Sequence, residues 1–336
     1  MLPLDCTILH ITFGRRDGVI PRAYGNVHQQ KEMSMVEQGE LAALIERYAP
    51  HDGDHTVCEK ASLHRSSQPT EPKHGVFGAA VCVVAQGRKQ VLSGGSVLVY
   101  DPLNYLVASV DLPVIGQVIE ASPDEPYLSF RMTLDPAVIG DMLLQLGGEP
   151  ALAQDAGPLI QAMAVSEVNP PLLDAVMRMV RLAENPRDAA VLAPLLEREI
   201  LYRMLLGDQG PRLAQIARAD GRMRQVKRAI GWITQHFNQP FSIDELAAEA
   251  RMSPSALHRH FKAVTALSPL QYQKQIRLQE ARKLILAQRM DAGSAGHAVG
   301  YDSPSQFSRE YARLFGAPPL RDVARLRARP EILLDT

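Results

Sequence analysis

Two stretches near the end of the chain share a rhythm: MSPSALHRHF at residues 252–261 and YDSPSQFSREY at residues 301–311. Each carries Ser-Pro-Ser, then an aromatic, with an Arg on the way. Ser followed by Pro is a helix start: the hydroxyl caps an early N–H, and Pro occupies the first helical position, where no N–H is needed. Ser242-Ile-Asp-Glu245 has the S-x-x-E form of a capping box, and Ser268-Pro-Leu-Gln271 and Ser303-Pro-Ser-Gln306 have the S-x-x-Q form.

Read outward from these caps, the region after Arg222 is all helix, over 222–237, 243–250, 254–264, 269–287, 291–298, 304–315 and 319–328. Helices 243–250 and 254–264 form one helix-turn-helix pair, and 291–298 and 304–315 a second. In the second helix of each pair the apolar residues recur at i, i+4 and i+7: Leu257, Phe261 and Val264, then Phe307, Tyr311 and Leu314. That spacing leaves Ser255, His258, Arg259 and Lys262 outward on one helix and Ser305, Gln306, Arg309 and Arg313 on the other. Arg forks onto guanine and Gln pairs with adenine in a major groove, so these faces are expected to read double-stranded DNA. The helix between the pairs is about 28 Å long at ~1.5 Å per residue. With its ends it spaces the two faces by about 34 Å, one turn of duplex.

Charge agrees. From residue 222 onward there are 18 basic and 10 acidic residues, against 18 and 27 before it, although the whole chain is balanced at −1. A basic third on an acidic body points to a polyanion partner for one domain only.

The rest of the 336 residues reads differently. From about 57 to 134 the chain is rich in Val, Ile, Leu and Tyr. Turn signals interrupt it at Gly87, Gly94-Gly95, Asp101-Pro102, Asp111-Leu112-Pro113 and Ser122-Pro123-Asp124. Short strands so spaced predict a sandwich or a small barrel. Helical periodicity takes over at Pro136, with helices expected in PAVIGDMLLQLG, PPLLDAVMRMVRLAEN and RDAAVLAPLLEREILYRMLLG, which could also pair with a second copy of the chain. GDQGPRLAQIARADGR reads as a connection. A short amphipathic helix carries Leu41, Leu44, Ile45 and Tyr48, inside an otherwise poorly ordered 1–50 extension.

No run of eighteen apolar residues exists and no signal-peptide pattern opens the chain, so a cytoplasmic protein without a membrane partner is expected. Three cysteines, with no CxxC spacing, argue against a disulfide scaffold or a thiolate metal site. His258 and His260 are two apart on a helix and point away from each other, so no metal is expected there either.

The residues SIDELAAEARMSPSALHRHFKAVTALSPLQYQKQIRLQEARKLIL and AVGYDSPSQFSREYARLFGAPPLRDVARLR resemble the DNA-binding domain of AraC/XylS-type transcription regulators from end to end. The resemblance implies base contacts by Ser255, His258, Arg259, Ser305, Gln306 and Arg309. It implies structural roles for Phe261, Tyr311, Gly300 and Gly316. Gly293 and Gly296 depart from the pattern, and glycine inside a helix costs about 1 kcal/mol relative to Ala, so the second unit is expected to be the looser. AVCVVAQGRKQVLSG, YDPLNYLVASVDLPVIGQVIEASPDEPYLSFRMTLDP and LAPLLEREILYRMLLGDQG resemble the cupin-like regulatory domain found before it in one subgroup.

The resulting expectation is an α+β chain. An extension over 1–50 precedes a small β-barrel, cupin-like regulatory and dimerisation domain with flanking helices over 51–210. An all-α domain follows over 222–330, with two helix-turn-helix units joined by a long helix. Function follows as a sequence-specific DNA-binding regulator answering a small-molecule or electrophile signal, with promoter DNA, an effector, RNA polymerase and a second copy as partners. A constitutive binder whose barrel only dimerises is the alternative. His64 and His74 precede the strands and no His lies from Gly75 to Leu134, so an enzyme or a cofactor on the barrel is not expected. Cys82 in AAVCVVA reads as an inert core thiol or, if partly exposed and of lowered pKa, as a sensor of electrophiles.

Overall fold

The computed structural model describes residues 39–102, 104–146, 159–217 and 221–327. Most of the expected N-terminal extension, residues 1–38, lies outside them. Residues 39–48 form helix α1, and its Leu41 and Ile45 are fully buried, so this part of the 1–50 segment belongs to the N-terminal core.

Among the described residues ten strands form two antiparallel sheets. The larger has the order β1 (Gly53–Cys58), β2 (Ala61–Ser66), β9 (Tyr127–Thr133), β4 (Ala80–Gln86), β7 (Asn104–Ala108), β10 (Met163–Glu167). The smaller is ordered β3 (Lys73–Phe77), β8 (Leu112–Glu120), β5 (Arg88–Ser93), β6 (Ser96–Tyr100). The expected barrel is not closed. Among the described residues the outer strands β1 and β10 pair only with β2 and β7, and β3 and β6 only with β8 and β5, so the sheets face each other as two layers.

The large sheet is covered on both faces, which explains why AVCVVA lacks polar alternation. Val81, Val83, Phe130 and Met132 meet α1, α2 (Pro136–Gln145), α3 (Pro170–Arg181), α4 (Pro186–Leu205) and α5 (Gly210–Ala217). Cys82, Val84, Leu106 and Tyr127 point the other way, towards the small sheet. Helix α5 falls in the stretch read as a connection, and it buries Leu213 and Ile216.

The C-terminal helices are α6 (Arg222–Gln235), α7 (Ile243–Glu249), α8 (Pro254–Thr265), α9 (Pro269–Ala287), α10 (Ala292–Ala298), α11 (Pro304–Phe315) and α12 (Pro319–Arg327). They dock on the small-sheet side of the N-terminal domain. Ala162 N–H donates to the Val264 carbonyl at 2.9 Å, Tyr272 Oη to the Asp111 carbonyl at 2.9 Å and Gln279 Nε2 to the Gly75 carbonyl at 3.2 Å. Arg325 pairs with Glu71 at 2.6 Å, and the His74 ring meets Phe315 edge-on, with centroids 4.6 Å apart. The N-terminal domain therefore touches the helical domain along α9 and at both of its ends.

Candidate nucleic-acid interface

Each pair turns through the same main-chain hydrogen bonds. After α7, Arg251 N–H donates to the Ala248 carbonyl and Met252 N–H to the Ala247 carbonyl. After α10, Gly300 N–H donates to His297 and Tyr301 N–H to Gly296. This is the paired C-terminal closure in which the residue after the cap takes a left-handed conformation. Arg251 and Gly300 do so, at φ 55° and 89°. Gly300 is required, because a Cβ there would sit 2.1 Å from the Asn238 carbonyl oxygen.

The helices that follow are in register at an offset of fifty residues. Ser253 and Ser303 cap, Leu257 and Phe307 are buried, Phe261 and Tyr311 are buried, and Ala266 and Gly316 end their helices left-handed at φ 59° and 78°. In the second helix the innermost residue of the last turn is Phe315, with Leu314 only half-buried, a shift of one residue from the expected spacing. Reciprocal capping boxes form at Ser242/Glu245 and Ser268/Gln271. At Ser303 only the forward bond forms, and the Gln306 side chain turns along its own helix to Glu310, 3.5 Å away.

Ser255, His258, Arg259 and Lys262 on α8 are exposed, as are Ser305, Gln306, Arg309 and Arg313 on α11. Neither set takes part in the contacts with the N-terminal domain described above. Glu310, the carboxylate on α11, accepts from Tyr301 Oη at 2.8 Å and lies 3.6 Å from Lys274 Nζ, so its charge is partly neutralised at the edge of that face. His260 is half-buried behind Arg259; burial and the nearby charges of Arg259 and Arg222 lower its pKa and favour a neutral ring.

The two units are held to α9 by different chemistry. Gln273 donates to the carbonyls of Phe237 and Gln239, and Arg277 reaches from the Phe237 carbonyl to that of Gly300. Further along, Arg282 makes a two-pronged ion pair with the fully buried Asp322, at 2.8 and 3.0 Å, and its guanidinium lies 4.5 Å over the Phe315 ring. Tyr311 Oη donates to the same carboxylate at 2.9 Å. Nothing in the apolar periodicity marked Asp322 as a core residue.

The expected looseness of the second unit is not found at Gly296. A Cβ there would lie 2.9 Å from Phe307 Cγ, so the glycine makes room for the larger aromatic. Gly293 N–H is capped by Asp291 Oδ1 at 3.0 Å.

Cys82 does not meet the condition set for a sensor. Its side chain is buried between the sheets, and burial pushes the thiol pKa up, against the smaller opposite pull of Lys89 and Arg131. Among the described residues no group of three His, Cys, Asp or Glu could hold a metal ion, and no helix is long and apolar enough to cross a membrane.

Comparison with known proteins agrees with this architecture. The family described as "AraC-type transcriptional regulator N-terminus" matches residues 58–212, and "Helix-turn-helix domain" matches residues 246–325. The transcriptional activator RhaS of Citrobacter koseri is 27% identical over 243 residues, 71% of this chain and 80% of its own length. The regulator CdhR of Pseudomonas aeruginosa is 27% identical over 152 residues, 45% of this chain and 44% of its own. Apo ToxT of Vibrio cholerae shares the fold at 8% identity, with a TM-score of 0.51 over 82% of this chain and 99% of its own. With a regulatory domain of this type ahead of two matched helix-turn-helix units, the chain is a DNA-binding transcription regulator of the AraC family.

Proposed function

We propose that the protein reads an asymmetric promoter site by setting α8 and α11 into successive major grooves on one face of the duplex. Ser255, His258, Arg259, Ser305, Gln306 and Arg309 contact base edges, and Lys262 and Arg313 contact phosphates. The observation that carries this reading is the fifty-residue register, which gives two exposed polar faces on one rigid spacer helix. Such a regulator works in the cytoplasm on the nucleoid, with RNA polymerase as a further partner where it activates.

The N-terminal domain makes this binding responsive to a small molecule. Its docking along α9 supports the reading, since a ligand that shifts the N-terminal domain would shift both units together. A protein of the same fold, ToxT, has been solved bound to (E)-4-(8-methylnaphthalen-1-yl)but-3-enoic acid. The exposed face of α4 supports a second copy as partner: Val191, Leu195 and Tyr202, with Leu206 just after the helix, form an exposed apolar stripe crossed by Arg198.

Genome-wide footprinting of the full-length protein, with and without a panel of small molecules, tests the whole. Discrete sites whose occupancy shifts with a compound are expected. Sites indifferent to every compound would leave a constitutive binder, and no discrete site at all would refute the DNA reading. Leu195→Lys should turn a dimer into a monomer in sedimentation; an unchanged mass would remove α4 as the contact.

A further inference from the structure

The helical side of the N-terminal domain holds a cavity of about 560 Å³, walled by the β1–β2 hairpin, β9, α2, α3 and α4. That is the size of a small-molecule site, far beyond the voids left by imperfect packing. Val57, Met132, Val138, Met179, Ala189 and Ala193 make most of it apolar. It lies on the face of the large sheet opposite to Cys82 and the small sheet.

Its polar groups gather where the hairpin turn meets α4. Lys60 Nζ donates to both oxygens of Glu197, at 3.0 and 3.2 Å, and to Asp135 at 2.9 Å. Glu197 is 6% exposed. One ammonium thus serves two carboxylates, and this pole carries an excess negative charge. Glu59 adds a third carboxylate to the lining, and Arg198, which donates to the neutral Gln145 at 2.9 Å and keeps its charge, adds a second cation, so the group is left with one negative charge in excess. Among the described residues Lys60 is the one cation shown in contact with Glu197, and a buried carboxylate that shares its cation has capacity for another donor.

A second acceptor lies about two turns earlier on the same helix. Pro194 lies inside α4, and proline has no N–H to give to the carbonyl one turn back. That carbonyl belongs to Ala190, and both residues line the cavity. Acceptors thus line the α4 wall of a half-open, otherwise largely apolar pocket. A carboxylate ligand would meet the excess negative charge there, and a hydrocarbon would offer no donor to the Ala190 carbonyl or to the remaining lone pairs of Glu197.

We infer that this cavity binds a protonated organic amine, with its N–H groups directed at Glu197 and the Ala190 carbonyl and its hydrocarbon part against Met132 and Met179. The inference deepens the ligand-responsive reading and rests on it only for its regulatory meaning, because binding is measured without DNA. Helix α4 links the two: one face walls the cavity and the other is the proposed homodimer contact.

The test is calorimetry on the full-length protein with n-octylammonium, octanoate and 1-octanol, each below its aggregation limit. Octylammonium should bind about ten-fold or more tighter than octanol, and octanoate should not bind. Glu197→Gln should weaken octylammonium by about ten-fold and leave octanol unchanged. Pro194→Ala restores an N–H to the Ala190 carbonyl. It should raise the melting temperature yet weaken the amine, a pair of opposite shifts that a purely structural proline does not predict. Should Glu197→Gln fail to fold, Pro194→Ala alone still decides. Equal binding of octanol and octylammonium, or of neither, would overturn the proposal. Amine binding that leaves every DNA footprint unchanged would uphold the site and count against the ligand-responsive reading instead.

Discussion

The two helix-turn-helix units place the same faces outward on cores of different chemistry. Where the first unit has Ala247 and Leu257, the second has Gly296 and Phe307, the smaller turn residue matched to the larger helix residue. Where the first stacks Phe261 edge-on against Tyr272, at 5.5 Å between centroids, the second bonds Tyr311 to the carboxylate of Asp322. Tyr272 and Asp322 are again fifty residues apart. An aromatic contact in one unit is thus an ionic network in the other. What is kept between them is the backbone closure and the direction of the second helix; the means of holding it are interchangeable. Their weaknesses should then differ.

The largest difference should appear at this pair. Asp322→Ala strands Arg282 among buried residues and should cost about 3–5 kcal/mol in urea unfolding. Tyr272→Phe loses the hydrogen bond to the Asp111 carbonyl and should cost about 0.5–1.5 kcal/mol. Equal losses would erase the distinction between the cores. Next, Gly296→Ala drives a methyl into Phe307 and should destabilise by about 1–3 kcal/mol. Adding Phe307→Leu copies the first unit and should recover most of that loss; a double variant no better than the single would show that the two residues are not paired by volume.

Binding sharpens the comparison further. Arg259→Ala and Arg309→Ala should each cost about 1–3 kcal/mol at the cognate site and relax preference at one base position. Read by separate grooves, the two losses should add to within about 0.5 kcal/mol in titrations of labelled DNA. A variant that binds cognate and random DNA as the native chain does would lose its assigned role. Lys262 has only Ala312 at the equivalent place in the second unit. Lys262→Ala should weaken binding to all sequences and reduce the slope of log affinity against log salt by about 1.

A further effect, confined to acid pH, concerns docking. His74 is pressed against Phe315, and burial, aided by Arg282 and Arg325 and opposed by Asp322, lowers its pKa from 6.5 to about 4. Between those values the unfolded chain holds a proton that the folded one does not, so stability rises with pH across this window and is lost as pH falls from 6.5 towards 4. His74→Phe should flatten melting temperature over that range relative to the native chain. An identical pH profile for both would place the titrating group elsewhere.

The C-terminal domain was legible almost residue by residue, because Ser242, Ser253, Ser268 and Ser303 mark their helices by local chemistry that needs no partner from afar. The sheet domain was legible only as strands. Turn residues say where a strand ends, but closure depends on which edges meet, and β1 and β10 do not. Helix α5 was missed because Gly210-Pro211 opens it without a Ser, Thr, Asp or Asn cap. The outward faces of α8 and α11 followed from the apolar spacing, whereas the Asp322 network and the cavity under α4 join residues far apart in sequence. Arg282 and Asp322 read singly as surface charges, and Pro194 as a flaw in a helix.

The bond from Ala162 N–H to the Val264 carbonyl has a particular consequence. It ties the first strand-entry residue before β10 to the last turn of α8 through main-chain atoms alone. Ordinary substitution at either residue leaves donor and acceptor in place; only proline at 162 deletes the donor. As sequences diverge, this connection between the domain ahead and the helix proposed to read DNA can outlast every side chain around it.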